Sequence, residues 1–330
     1  MQQINQDISS GQFHNIYLLW GQEAYLRRQY RDKLKKALVS EDDTMNYTYR
    51  EGKGISVPEL IDQAETLPFF ADRRVILVEN SGLFKKGCDD LAEYLKECCE
   101  TTVFVFVEQE IDRKTRIYKT VAQSGVVAAF EKQTPETLRK WAASRMQKEG
   151  FRITGRDMDH FLELVGNDMQ VISTELEKLF SYCMGRDVIT AEDIDSIVTR
   201  QVEGQIFAMI EAMSAGRQRE AMKLYRDLLT LKEPPLRILT LIGRQFSIML
   251  TVKALMQKGG SSQSIGKEIN LAAFIAAKYM AQCRDYTMDE IKEALRDIEE
   301  ADYAIKSGRM QDVMSVELLV VKYSSRKKRR

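Results

Sequence analysis

The residues best spaced for phosphate chemistry lie at Trp20-Gly21-Gln22-Glu23-Ala24-Tyr25-Leu26, where an apolar run meets a basic amphipathic stretch. A phosphate-cradling loop needs glycines so that successive N–H groups face the anion, a Lys for the β/γ-phosphates and a Ser/Thr hydroxyl for magnesium. This turn has one glycine and no lysine, and it places Glu23 at the helix start, where a carboxylate repels a nucleotide. The pattern Gly260 to Gly266-Lys267 is one residue too long, puts Glu268 where the hydroxyl belongs and lies in a helical stretch, so it counts as chance.

Acids at Glu79-Asn80 and Glu108-Gln109-Glu110 close apolar runs as magnesium-binding acids do, but without a lysine cradle they have nothing to coordinate. Cys88, Cys98, Cys99, Cys183 and Cys283 form no C-x-x-C pair, and His14 and His160 are far apart, so no zinc site can be drawn. Neither a Gly-x-Ser-x-Gly elbow nor a His-Glu-x-x-His motif is present. Paired acids such as Asp42-Asp43 and Glu299-Glu300 read as solvated positions rather than acid/base pairs. The expectation is a chain with no catalytic residue, no metal and no cofactor.

One apolar segment is left without a role. After a capping-box start at Ser56-Val57-Pro58-Glu59, a short helix runs into Leu67-Pro68-Phe69-Phe70, followed by charged Asp72-Arg73-Arg74 and the next strand. Connections of this kind lie at the surface. Either Leu67, Phe69 and Phe70 tuck under the sheet edge and close the core, or they form a hydrophobic wedge that fills a pocket on a partner. The residues alone leave both readings open.

The elements around these positions divide the chain. Up to about residue 130, β-rich runs at 16–20, 45–50, 74–79, 102–107 and 125–130 alternate with helical stretches, which predicts a parallel sheet covered on both faces. The first helix buries Leu26, Tyr30, Leu34 and Leu38, while Arg27, Arg28, Arg31, Lys35 and Lys36 read as its solvated faces. From Thr134-Pro135-Glu136, a helix start with N-cap and first-turn proline, the β-runs stop. A small helical domain extends to about Thr199, with a capped helix at Thr190, and long amphipathic helices follow, broken at 214–216, 233–235, 259–264 and 286–289.

Composition fits this picture. The 330 residues exceed one ordinary core, and 44% hydrophobic with 30% charged residues is ordinary for a folded protein. Lys+Arg and Asp+Glu balance at 49 each, so a strongly electrostatic mode of binding nucleic acid or membrane is not written into the composition. The last five residues carry +5, leaving −5 on the body; such a run is usually a solvated tail and less often a phosphate-seeking arm. The polar start Met1-Gln2-Gln3 precedes no secretory apolar region, and no run approaches a membrane span, so a cytoplasmic protein with reduced thiols is expected.

Several stretches together resemble the delta subunit family of bacterial DNA polymerase III. They are Tyr17-Leu18-Leu19-Trp20-Gly21-Gln22-Glu23-Ala24-Tyr25-Leu26, Leu67-Pro68-Phe69-Phe70-Ala71-Asp72-Arg73-Arg74-Val75, and Thr134-Pro135-Glu136 leading to Trp141. Gly166-Asn167-Asp168 and Glu175-Leu176-Glu177-Lys178-Leu179 follow. The last third adds Pro234-Pro235-Leu236-Arg237-Ile238-Leu239, Arg244-Gln245-Phe246 and Asp302-Tyr303-Ala304-Ile305-Lys306-Ser307-Gly308. The likeness is cumulative and spans nearly the whole chain.

The resemblance implies α/β plus all-α architecture. It comprises a degenerate AAA+-type (RecA-like) parallel-sheet domain over 1–135, a small helical lid domain over 136–202 and a C-terminal helical collar domain over 203–330. It implies a non-catalytic accessory subunit of a DNA-directed DNA polymerase, one that binds and opens the ring-shaped sliding clamp for loading onto primed DNA. Leu67, Phe69 and Phe70 map onto the family's clamp-binding residues. Implied partners are the sliding clamp (beta), other clamp-loader subunits held through the collar, and primer-template DNA within the complex, with no membrane. An oligomer scaffold without clamp contact and an ATPase with an unrecognised nucleotide site remain as alternatives.

Overall fold

A computed structural model describes residues 1–40, 42–199 and 201–325, so the basic tail at 326–330 lies outside the described residues. The chain forms two compact units, the first ending at Gln133 and the second beginning at Thr134.

In the first unit, strands β1 (Ile16–Trp20), β2 (Tyr47–Glu51), β3 (Arg74–Glu79), β4 (Thr102–Glu108) and β5 (Val126–Ala129) pair throughout in parallel, in the order β2-β3-β4-β1-β5. Helices α1 (Gln2–Ser10), α2 (Ala24–Leu38), α3 (Val57–Glu65), α4 (Leu83–Lys86), α5 (Asp89–Tyr94) and α6 (Arg116–Ser124) connect them. The central strands are continuous apolar runs because both faces are covered: every residue of β4 is buried, as are all but the first of β3. Ile16, Leu18, Ile76, Val78, Phe104 and Phe106 form one core face with Leu60, Leu91, Ile117 and Val121 from the helices. Burial of such side chains contributes about 1.5–3 kcal/mol each.

β2 starts at Tyr47 rather than at residue 45. Asn46 and Met45 point their N–H groups at the Asp43 carboxylate, so the ladder begins only beyond them. A second difference concerns α2, whose basic residues are not all solvated. Arg27 is buried and Arg31 is half-buried against Glu79.

The second unit opens with α7 (Pro135–Lys148), α8 (Gly155–Val165), α9 (Met169–Tyr182) and α10 (Ala191–Ile197). Thr134, Thr154, Asp168 and Thr190 each cap the following helix with a side-chain oxygen, and Thr190 and Asp193 complete a capping box. The β-runs do not stop entirely, since β6 (Arg152–Ile153) and β7 (Val188–Ile189) make a two-residue parallel pair. Seven helices follow among the described residues: α11 (Val202–Ser214), α12 (Gln218–Thr230), α13 (Pro235–Gln257), α14 (Ser262–Glu268), α15 (Ala273–Arg284), α16 (Met288–Lys306) and α17 (Asp312–Ser324). They share a core that includes Ile206, Tyr225, Phe246, Tyr279, Ile291 and Tyr323.

Against the expectation that no apolar run approaches a membrane span, α13 is long and apolar enough to cross one by length and composition alone. Within the bundle its Ile238, Leu239, Ile242, Phe246, Met249 and Val252 are buried against neighbouring helices. The apolar content of α13 supplies a core on several sides of one helix.

Candidate functional site

The segment between α3 and β3 leaves its large apolar residues in water. Leu67 is 70% exposed, Phe69 58% and Phe70 95%. The reading in which they close the core does not describe this chain. Ser56 caps the start of α3, and the helix ends at Glu65, before Pro68. Phe70 adopts φ 49°, in the left-handed region that a bulky L-residue enters only under constraint, and its ring meets that of Phe69 edge-on at 4.5 Å.

Side chains supply that constraint, since among the described residues no backbone–backbone hydrogen bond ties down residues 67–73. Asn46, only 2% exposed, spans the backbone of Phe69. The Phe69 N–H donates to Asn46 Oδ1 at 2.6 Å, and Asn46 Nδ2 donates to the Phe69 carbonyl at 2.9 Å. Asn46 Nδ2 also donates to Asp43 Oδ2 at 2.8 Å, so both of its amide protons and its oxygen are engaged. The Asn46 side-chain amide, with the backbone N–H groups of Asn46 and Met45, holds the Asp43 carboxyl below the usual carboxylate range. At the other end of the loop, Arg74 donates to the carbonyls of Thr66 (2.9 Å), Met45 (3.3 Å) and Leu67 (3.4 Å). The Arg73 guanidinium lies over the Phe13 ring, 4.9 Å from its centre.

The opposite edge of the sheet, outside the carboxyl ends of β1 and β4, is where open parallel sheets bind ligands. Here several of the polar groups have partners within the chain. The Gly21 N–H donates to the Glu108 carbonyl at 3.2 Å and the Glu23 N–H to the Phe130 carbonyl at 2.9 Å. Gly21 has φ 131°, and a Cβ there would lie 2.2 Å from the Phe130 oxygen, so the turn is pressed against the end of β5. Glu23 is the N-cap of α2 and accepts from the Tyr25 N–H at 3.3 Å, occupying the helix terminus with its own carboxylate.

Behind that turn Glu108 is buried. It accepts from the Ser81 hydroxyl, from the Ser81 N–H at 3.0 Å and from the Gly82 N–H at 3.2 Å; burial nonetheless raises its pKa. Arg31 donates to Glu79 at 2.7 Å; burial lowers the pKa of Arg27, a shift that the nearby Glu79 and Glu108 oppose without reversing it. The acids at 79 and 108 therefore have partners within the fold, none of which their spacing in the sequence indicates.

Leu67, Phe69 and Phe70 are thus brought together at one surface, as their proximity in sequence required. Asn46 and Arg74 were missed. An Asp three residues before an Asn signals local side-chain-to-backbone bonding, but nothing in the spacing announces a contact 23 residues away.

Residues 17–131 match the family model for DNA polymerase III, delta subunit, and residues 203–323 match that for DNA polymerase III delta subunit, C-terminal domain. DNA polymerase III subunit delta of Bacillus subtilis is 23% identical over 331 residues, covering 97% of this chain and 95% of that protein. The probable DNA polymerase III subunit delta of Aquifex aeolicus is 22% identical over 304 residues, covering 87% and 85%. The solved structure of the Bacillus subtilis DNA clamp loader delta protein superposes with a TM-score of 0.67 at 23% identity, over 98% of this chain and 99% of that one, and so shares the fold. With family matches on both the parallel-sheet unit and the helical bundle, the chain belongs to the DNA polymerase III delta subunit family, the clamp-loader accessory subunits of bacterial DNA replication.

Proposed function

We propose that this chain binds and opens the sliding clamp and catalyses no reaction of its own. One observation carries the proposal: Leu67, Phe69 and Phe70 stand in water on a backbone that is tied down around them. Each such side chain gains about 1.5–3 kcal/mol when it enters an apolar pocket. Three of them match the roughly 5.5 kcal/mol needed to invert a 1:99 equilibrium, provided they bind only the open form. The subunit thus shifts the clamp toward its open state by differential binding. In the assembled complex, ATP held by partner subunits governs when the loop reaches the clamp.

The same reading divides the second unit into a lid domain, 136–202, and a collar, 203–330, through which other clamp-loader subunits are held. Support comes from the bundle core, whose buried residues run from Ile206 to Tyr323, and from exposed Val313, Met314 and Leu318 on α17. Contact with primer-template DNA is through phosphates and weak, because the body is slightly acidic. The site of action is the cytoplasm.

The test is binding of the purified chain to the sliding clamp of the same organism, beside a variant with Leu67→Ala, Phe69→Ala and Phe70→Ala that has been checked for unchanged folding. Tight binding by the natural chain that the variant loses is the expected result. Equal binding by both would remove the loop from the interface.

A further inference from the structure

We propose that Asn46 and Arg74 are positioning residues that hold the apolar loop in the shape in which it engages its partner. The inference rests on the clamp-binding reading for its partner, but its geometry stands in the free chain. An eight-residue connection, 66–73, without backbone pairing of its own samples many shapes, and only a fraction of them present two aromatic rings side by side. Apparent affinity falls by that fraction, so whatever holds the competent shape raises affinity without touching the partner.

Asn46 does this from below. Its carboxamide pairs with both the N–H and the C=O of Phe69, as a neighbouring strand would. The Asp43 carboxylate fixes its orientation, because a flipped amide would set its oxygen against both Asp43 and the Phe69 carbonyl. The backbone carbonyl of Asn46 accepts from the Val75 N–H at 2.8 Å, so the residue that grips the loop is itself part of the sheet edge. Arg74, at the first position of β3, gathers the carbonyls of Thr66, Leu67 and Met45 into one fan. The loop is thereby gripped at both ends of Leu67-Pro68-Phe69, and the next residue, Phe70, is left in its left-handed conformation with its ring in water.

Two readouts on the full-length chain test this. The first is the rate of limited chymotrypsin cleavage within residues 67–70 of the free chain, alongside its thermal midpoint. The second is clamp affinity. Asn46→Ala removes two hydrogen bonds to the loop and is expected to speed nicking and weaken clamp binding, each about tenfold, with the thermal midpoint little changed. Should Asn46→Ala fold poorly, Arg74→Met, which removes the fan, carries the same expectation.

In a Phe69→Ala, Phe70→Ala background, Asn46→Ala should leave residual clamp binding where it was, since there is no wedge left to position. Unchanged nicking and affinity in both single variants would overturn the proposal. So would an affinity loss matched by a fall in the thermal midpoint, or one that persists without the two rings. If the natural chain does not bind the clamp, or binds it equally without the rings, the clamp reading fails, and the nicking rates alone decide whether Asn46 and Arg74 hold the loop.

Discussion

The two edges of one parallel sheet treat their polar and apolar groups in opposite ways. Outside the carboxyl ends of β1 and β4, charged groups turn inward: Glu108 takes up the N–H groups of Ser81 and Gly82, Arg31 pairs with Glu79, and Glu23 caps its own helix. Ahead of the amino end of β3, apolar groups turn outward, while the backbone beneath them is satisfied by Asn46 and Arg74. Donors that meet carbonyls and carboxylates of the same chain are satisfied without a ligand. An edge that exposes Leu67, Phe69 and Phe70 gains free energy only when another surface covers them.

That contrast is best broken by comparing what each region contributes to stability. The shared core sets the upper end of the scale. Phe106→Ala removes a fully buried ring stacked on Phe104 and edge-on to Phe84, and should cost about 3–5 kcal/mol in chemical unfolding. Replacing both Phe69 and Phe70 by Ala should lower clamp affinity by about 30-fold or more, while each change moves unfolding free energy by no more than about 0.5 kcal/mol. A loss of stability comparable to that of Phe106→Ala would mean that the loop belongs to the core after all.

A smaller effect separates the opposite edge by its pH dependence. Burial raises the Glu108 pKa, so the native state keeps this proton at pH values where the unfolded chain has released it. Its contribution is therefore full below the ordinary glutamate pKa and is lost as pH rises through the raised native value. Glu108→Gln, followed by urea unfolding from pH 4.5 to 8, should flatten that decline; an unaltered slope would show that Glu108 is ionised in the fold at no cost.

The smallest effect expected is that of Phe70→Asn. Asn tolerates the left-handed backbone that Phe70 is held in, so the variant should match or exceed natural stability by a few tenths of a kcal/mol and still bind the clamp less well. Thermal unfolding and a binding titration on the same preparation would measure both.

The positions of the five strands along the chain and several helix starts could be read from residue types alone. Strands buried on both faces are written as unbroken apolar runs, which is why β1 and β3 were legible to the residue, and caps such as Thr134 and Thr190 act within one turn of the chain. The sequence also determined that the β1–α2 turn lacks the parts of a phosphate cradle, because that depends on residue types in a short span. What required the tertiary structure was every decision between water and protein for residues that composition leaves ambivalent. Arg27 and Arg31 share a basic helix with exposed Arg28 and Lys35, and what separates them is tertiary: Arg31 reaches Glu79, and Arg27 is buried where the packing of the helix on the sheet places it. Asn46 becomes a grip because folding brings residue 69 to it, and the rings at 69 and 70 stay in water because, among the described residues, no other element of this unit covers them. Burial is a property of neighbours, and the neighbours that matter here are distant in sequence.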